Sequence, residues 1–251
     1  MAILGELVAG LASGSVEVVD LTTPLSERTP VIRLPAEWGQ PWPFSREVIS
    51  RYDEAGPAFY WNNLRLSEHT GTHFDAPAHW LSGRDLDDVA TVPPGRLAGP
   101  AAVLDRTERV AADPGFLLRR EDVEAWMDEH GPLPEDGWLL YRTGWAGRAP
   151  EEFHNDGRSP GVDVDCAKWL AEETPVLGIG VETIGTDAGA AAMFEPPFPC
   201  HWYFHGAGKY GLTQLRNLDR LPATGAVVVA APLPIVGGSG SPARVLAFVE
   251  R

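Results

Sequence analysis

Apolar positions along this chain recur at two periods, and the switches between them lay out the elements. Leu4, Leu7, Val8 and Leu11 stand at helical spacing near the start, which predicts a short docking helix. Residues 16–21 then read as a strand ending at the turn set by Thr22, Thr23 and Pro24. From there to about Phe44 the sequence is rich in proline and has no period, so a long loop is expected, of the kind that serves as a lid or pocket wall. Tyr60 to Glu68 alternates again, with Leu64 and Leu66 on one face.

The second half alternates strands with helices. Residues 101–105 form a short apolar run suited to a buried strand, followed by an irregular passage to Leu118. Val123, Trp126 and Met127 sit at i, i+3 and i+4 ahead of Gly131 and Pro132, which predicts an amphipathic helix over residues 121–130 with a proper stop. A strand over 138–142 comes next, then a helix capped by Asp163 or Asp165 and running to about Glu172. Residues 176–181 are a nearly continuous apolar strand of the doubly covered kind, and 226–230 and 245–249 are further central strands. The fold class is therefore α/β, and with no linker between halves the expectation is one domain over residues 1–251.

One stretch fits neither period. Residues 67–80, Ser-Glu-His-Thr-Gly-Thr-His-Phe-Asp-Ala-Pro-Ala-His-Trp, put three of the seven histidines and a carboxylate within eleven positions. Gly71 and Pro77 make a helix unfavourable there. As extended chain, His69, His73, Asp75 and His79 share one parity and emerge on one face, at a strand end running into a loop. Any one of these histidines alone would read as a satisfied core residue. Three with an Asp, packed together without a cation, would bury costly polar groups with nothing to bind, so the stretch points to a divalent metal ion.

Composition narrows the partners. A net charge of −15 works against nucleic acid or an anionic membrane surface, both of which reward a basic face, and favours a small-molecule substrate. The apolar start has no basic residue before Arg28 and is interrupted by Glu6, so a targeting segment is not expected. Cys166 and Cys200 make neither a disulfide framework nor a redox motif, and the default location is cytoplasmic. Trp42, Trp61 and Trp80 are candidates for an aromatic-lined pocket, whereas Phe74, of opposite parity to the histidines, reads as core. Glu182 and Asp187 follow the 176–181 strand and read as carboxylates that hold a backbone turn or else orient the metal ligands, the turn being the favoured role for both.

The run His69-Thr-Gly-Thr-His73-Phe-Asp75-Ala-Pro-Ala-His79 resembles the His-x-Gly-Thr-His-x-Asp-x-Pro-x-His signature of the cyclase family of metal-dependent hydrolases, which includes bacterial kynurenine formamidases and isatin hydrolases. Further similarity lies in residues 18–25, 142–145, 217–222 and 237–244, so it covers nearly the whole chain. The resemblance implies the swivelling β/β/α architecture with a mixed central sheet, and a dimer or tetramer. It implies an ion, Zn or Mn, held by His69, His73 and Asp75, with His79 as proton shuttle and His201 as a second candidate for that transfer or for substrate contact. Two positions depart from the family pattern: Glu182 stands where Asp is usual, and Thr213-Gln214 stands where a Glu ligand is usual. Gln214 is the better replacement ligand, since an amide oxygen coordinates a divalent ion where a hydroxyl does so poorly, and the lost carboxylate favours a single ion. The implied reaction is hydrolysis of a small formamide, cyclic amide or imide-like compound. The alternatives are a non-catalytic binding protein and a lactone or polyketide-type cyclase.

Overall fold

A computed structural model describes residues 2–251. Helix α1 (Ile3–Ser13) leads into β1 (Val16–Asp20), and a proline-rich coil then reaches a ribbon of two strands, β2 (Ser45–Arg51) and β3 (Tyr60–Arg65). The histidine stretch contains the three-residue strand β4 (His73–Asp75). Next come β5 (Ala98–Asp105), α2 (Thr107–Ala112), β6 (Leu117–Leu118), α3 (Arg120–His130), β7 (Trp138–Arg142), β8 (Gly161–Val162), α4 (Val164–Glu172) and β9 (Gly178–Val181). A π-helical turn over His201–His205 precedes β10 (Tyr210–Thr213), and β11 (Ala226–Pro232) and β12 (Gly240–Glu250) complete the chain.

The alternating half forms as its pattern predicts. Asp163 caps α4 by accepting the Asp165 N–H, and α3 ends at Gly131. The passage before Leu118 is more ordered than expected, because α2 lies within it.

Seven strands close on themselves in the order β4-β10-β9-β7-β5-β11-β12, with β12 returning to β4 and β1 lying on the outside of β12. The pairs β5–β7, β7–β9 and β9–β10 are parallel and the others antiparallel, so the sheet is mixed. Strand alternation sorts the core. Trp138 and Leu140 point into the space the ring encloses, with Phe74, Leu212, Val228 and Val245. Leu139 and Tyr141 face outward beneath α3, α4 and the π-helical turn, against Trp126, Leu170 and Phe204.

Candidate metal centre

Strand β4 delivers the first ligands. Its alternation turns Phe74 into the enclosed core against Trp138 and Tyr210, and sends His73 and Asp75 to the opposite face. Asp75 has a glycine opposite it on each neighbouring strand, Gly211 of β10 and Gly240 of β12. A Cβ at 211 would lie 2.8 Å from Asp75 Oδ2, and one at 240 would lie 2.6 Å from His69 Cε1. The two glycines therefore make the room the site occupies. Gly71, at φ 68°, takes the left-handed turn that folds His69 back over β4.

Later segments supply the other rings. His79 ends a 3-10 turn over Pro77–His79 and stacks on His69 at 3.9 Å between centroids. The π-helical turn brings His201 to 5.3 Å and His205 to 5.9 Å from His79; such turns recur at functional sites. Two groupings of donor atoms share Asp75: His69, Asp75 and His79 form one, and Asp75, His201 and His205 the other, each with its atoms within 4.8 Å of one another.

Hydrogen bonds on the far side of the His69, His73, His201 and His205 rings fix their tautomers. Ser239 donates its hydroxyl proton to Glu68 Oε2 at 2.8 Å, so Ser239 Oγ can only accept from His69 Nε2, also at 2.8 Å. His69 Nδ1 is thereby left with a lone pair 2.8 Å from Asp75 Oδ1. His73 Nδ1 donates to the Gly71 carbonyl at 2.7 Å, which leaves His73 Nε2 as a lone pair 3.2 Å from the same carboxylate oxygen. His201 Nδ1 donates to Asp187, and His205 Nδ1 to the Lys209 carbonyl at 3.1 Å. His205 Nε2 is buried with no partner among the described residues. Lone pairs facing a buried carboxylate at these distances repel it unless a proton or a cation lies between them. A nitrogen and oxygen donor set with outer partners on the His69, His73, His201 and His205 rings fits a divalent ion.

The electrostatics favour an ionised carboxylate beside neutral His79 and His205 rings. Burial opposes ionisation of Asp75, but positive charge and a hydrogen bond at the facing His73 and His69 nitrogens outweigh it and hold its carboxyl well below the usual range, the attraction that a cation in that place would supply. Burial, then the neighbouring His69, pushes His79 well below the ordinary imidazole value. Burial and His201 push His205 down to about 4. For His201 burial acts downward, yet the Asp187 carboxylate prevails and raises it.

The structure thus brings together His69, His73, Asp75, His79 and His201. Gln214 stands just past the end of β10 at φ 49°, so its side chain leaves the strand alternation. Its Nε2 donates to the Pro30 carbonyl at 3.2 Å, and its Oε1 accepts no hydrogen bond among the described residues. Thr213 is the residue paired in register with His73, and its hydroxyl lies 2.8 Å from His73 Nδ1. Of the aromatic wall expected from sequence, Trp80 stands 4.8 Å from His201 and 5.4 Å from Phe198, whereas Trp61 projects into solvent and Trp42 lies beneath the Arg65 guanidinium. Glu182 accepts the N–H groups of Thr143, Gly144 and Trp145 and holds that turn. Asp187 does more than hold a turn, since it accepts the Cys200 and His201 N–H groups as well as the His201 ring. Sequence reading missed Ser239, Glu68 and Phe198. Ser239 lies within residues 237–244, a stretch that carries the family resemblance, but its glycine-rich surround reads as a loop and assigned it no role.

The chain as a whole has counterparts. An isatin hydrolase of Roseibium aggregatum is 44% identical over 99% of this chain and 97% of its own length. A kynurenine formamidase of Salinibacter ruber is 30% identical over 81% of this chain and 88% of its own. A crystal structure of an isatin hydrolase bound to the product analogue thioisatinate superposes with a TM-score of 0.97 at 43% identity, covering 100% of both chains. The family model for Cyclase matches residues 19–188, and the chain belongs to that family.

Proposed function

We propose that this protein hydrolyses the amide bond of a small planar cyclic amide of the isatin type, using a divalent ion, Zn or Mn, held by His69, His73, Asp75 and Gln214. The observation that carries the reading is the convergence of the His69 and His73 lone pairs on Asp75, each ring being held from behind by Ser239 or the Gly71 carbonyl. Hydrolysis of a small amide is also what the names isatin hydrolase and kynurenine formamidase denote in its relatives. Gln214 Oε1, free of hydrogen bonds among the described residues, is the donor available from β10's end.

When bound, the ion supplies Lewis acidity that polarises an amide carbonyl and acidifies water. The chain's own residues move the proton. His79 is neutral and stacked on His69, so it accepts a proton from the attacking water and returns it to the leaving nitrogen as the C–N bond breaks and the C–O bond forms. His201, held by Asp187, is the second candidate for that transfer or for contact with the substrate carbonyl. Trp80 and Phe198 give a planar ring a wall to lie against.

The protein acts as an assembly of two or four copies, an expectation carried by the family resemblance. We place it in the cytoplasm; Cys166 and Cys200 are buried and unpaired, and no helix among the described residues is long and apolar enough to cross a membrane. The test is a panel of isatin-like compounds, formamides, cyclic imides and lactones, assayed with Mn or Zn and again after chelation. Turnover of isatin-like compounds that disappears on chelation is the expected result. Ligand-induced thermal shifts without turnover of any compound would overturn it in favour of binding alone.

A further inference from the structure

A cavity of about 300 Å³ opens at the start of β10, and none of the side chains of the metal centre lines it. Its size is that of the smaller clefts that hold small molecules, which run from about 300 to 1,000 Å³. Two cations stand on its wall, Lys209 and Arg96, and Asp87 is the one carboxylate there among the described residues. In a chain of net charge −15, that local excess of positive charge runs against the rest of the molecule.

Each donor on this wall has capacity to spare. Lys209 Nζ donates to the Leu170 and Thr174 carbonyls at 3.0 and 2.8 Å, which leaves one of its three hydrogens without an acceptor, and it makes no ion pair among the described residues. Burial lowers its pKa to about 8, as expected of an ammonium held by carbonyls alone. Arg96 uses one nitrogen on Asp136 at 3.0 Å and keeps the others free among the described residues. Tyr210 is only 4% exposed, yet its hydroxyl has no hydrogen-bond partner among the described residues. Burial raises the Tyr210 pKa, Arg96 opposes the rise and Asp87 adds to it, so the hydroxyl faces both charges. Asp87 is engaged elsewhere, accepting the Thr91 hydroxyl at 3.0 Å. Donors left unpaired in a recess cost free energy that an oxyanion among them would recover.

The walls and the charge count set the class of ligand. Pro93, Pro175 and Ala207 give the cavity apolar sides, which suit a ligand with an apolar body. Two cations against one carboxylate balance a single negative charge, so a monoanion fits where a dianion does not. We propose that this cavity is a second ligand site, taking a carboxylate with a small apolar body through Lys209, Arg96 and Tyr210. Hydrolysis of an amide bond yields a carboxylate, so the product of the proposed reaction belongs to this class, and that last step alone rests on the proposed function.

Calorimetric titration of the full-length protein with benzoate tests the site. It is run on metal-loaded protein and again after chelation, because a carboxylate also binds a divalent ion. One benzoate per chain is expected to bind after chelation, with neither inorganic phosphate nor benzyl alcohol displacing it. Tyr210→Phe removes a hydroxyl that no protein group uses and keeps the ring against Phe74, so the fold should hold. That variant, and Arg96→Gln, which gives up only an exposed pair with Asp136, should each weaken benzoate by about tenfold or more, the worth of one hydrogen bond to a charged group. Loss of all benzoate binding on chelation, or binding that both variants leave unchanged, would overturn the site. Displacement by phosphate or by benzyl alcohol would overturn the carboxylate as its ligand. Turnover of isatin-like compounds is measured alongside. A protein that binds benzoate at Tyr210 and turns over nothing loses the proposed activity and keeps this site, whereas an active enzyme without the benzoate site loses only this proposal.

Discussion

Ser239 Oγ accepts from His69 Nε2 at 2.8 Å and gives its own proton to Glu68, so a serine 170 positions away in sequence decides which nitrogen of His69 faces Asp75. Removing a partner of this kind typically lowers metal affinity by about 10–100-fold. Ser239→Ala should therefore weaken metal binding by about that factor in a chelator-competition titration, and Ser239→Thr should restore it. NMR of the zinc-loaded protein should show the His69 proton on Nε2. Unchanged affinity in Ser239→Ala, or a proton on Nδ1, would show that the hydroxyl does not set the ring.

His79 separates ligation from proton transfer. Its ring makes no protein hydrogen bond among the described residues and packs face-on against His69, so it is free to exchange protons. His79→Ala should keep fold and metal content while kcat falls by ~10²–10⁴, the usual worth of general acid–base catalysis. His73→Ala should lose the metal and all activity. A metal-free His79→Ala protein would make His79 a ligand and pass the shuttle to His201.

The elements that were legible in the sequence are those whose period is set by one buried face. Val123, Trp126 and Met127 announce α3, and the run at 138–142 announces β7. Strand β4 gave no period, because its three residues are buried on both faces and paired on both edges. Ring closure rests on the pairing of residues 240–242 with 73–75, a contact that local pattern does not encode. The ligand stretch was readable because its donors are close in sequence. The partners that orient it, Ser239, Asp187 and the Lys209 carbonyl, come from distant loops whose composition signals only a turn. Trp61 misled because exposure is decided by what β3 packs against, which the sequence does not show.

Trp80 provides a test of the pocket. Its ring lies 5.4 Å from Phe198 and 4.8 Å from His201, between an aromatic wall and the proton-carrying cluster. Trp80→Leu should raise KM for aromatic cyclic amides about tenfold, the order expected of a lost apolar contact, and should leave small aliphatic amides nearly unchanged. Equal effects on both substrate types would remove Trp80 from the pocket.

Lys209 gives a pH dependence away from the reaction. Its ammonium donates to the Leu170 and Thr174 carbonyls at 3.0 and 2.8 Å, and burial lowers its pKa from 10.5 to about 8. Between those values the unfolded chain holds a proton that the folded chain has released, so this group makes stability rise with pH. Denaturant unfolding should show the wild type gaining on Lys209→Met between about pH 7.5 and 10. Parallel curves for the two proteins would mean that the ammonium titrates as though exposed.

Metal count follows from charge. Both donor groupings draw on Asp75, and no other carboxylate belongs to either among the described residues. One buried carboxylate cannot offset two divalent ions at close range, because each added positive charge must be balanced where water is excluded. Thr213, in register with His73 and with its hydroxyl against that ring, stands where a second carboxylate would serve. Metal analysis of protein purified without added metal should give one ion per chain, and Thr213→Glu, refolded with excess metal, should give two. Two tightly held ions in the wild type would show that His201 and His205, without a second carboxylate, suffice to hold the other.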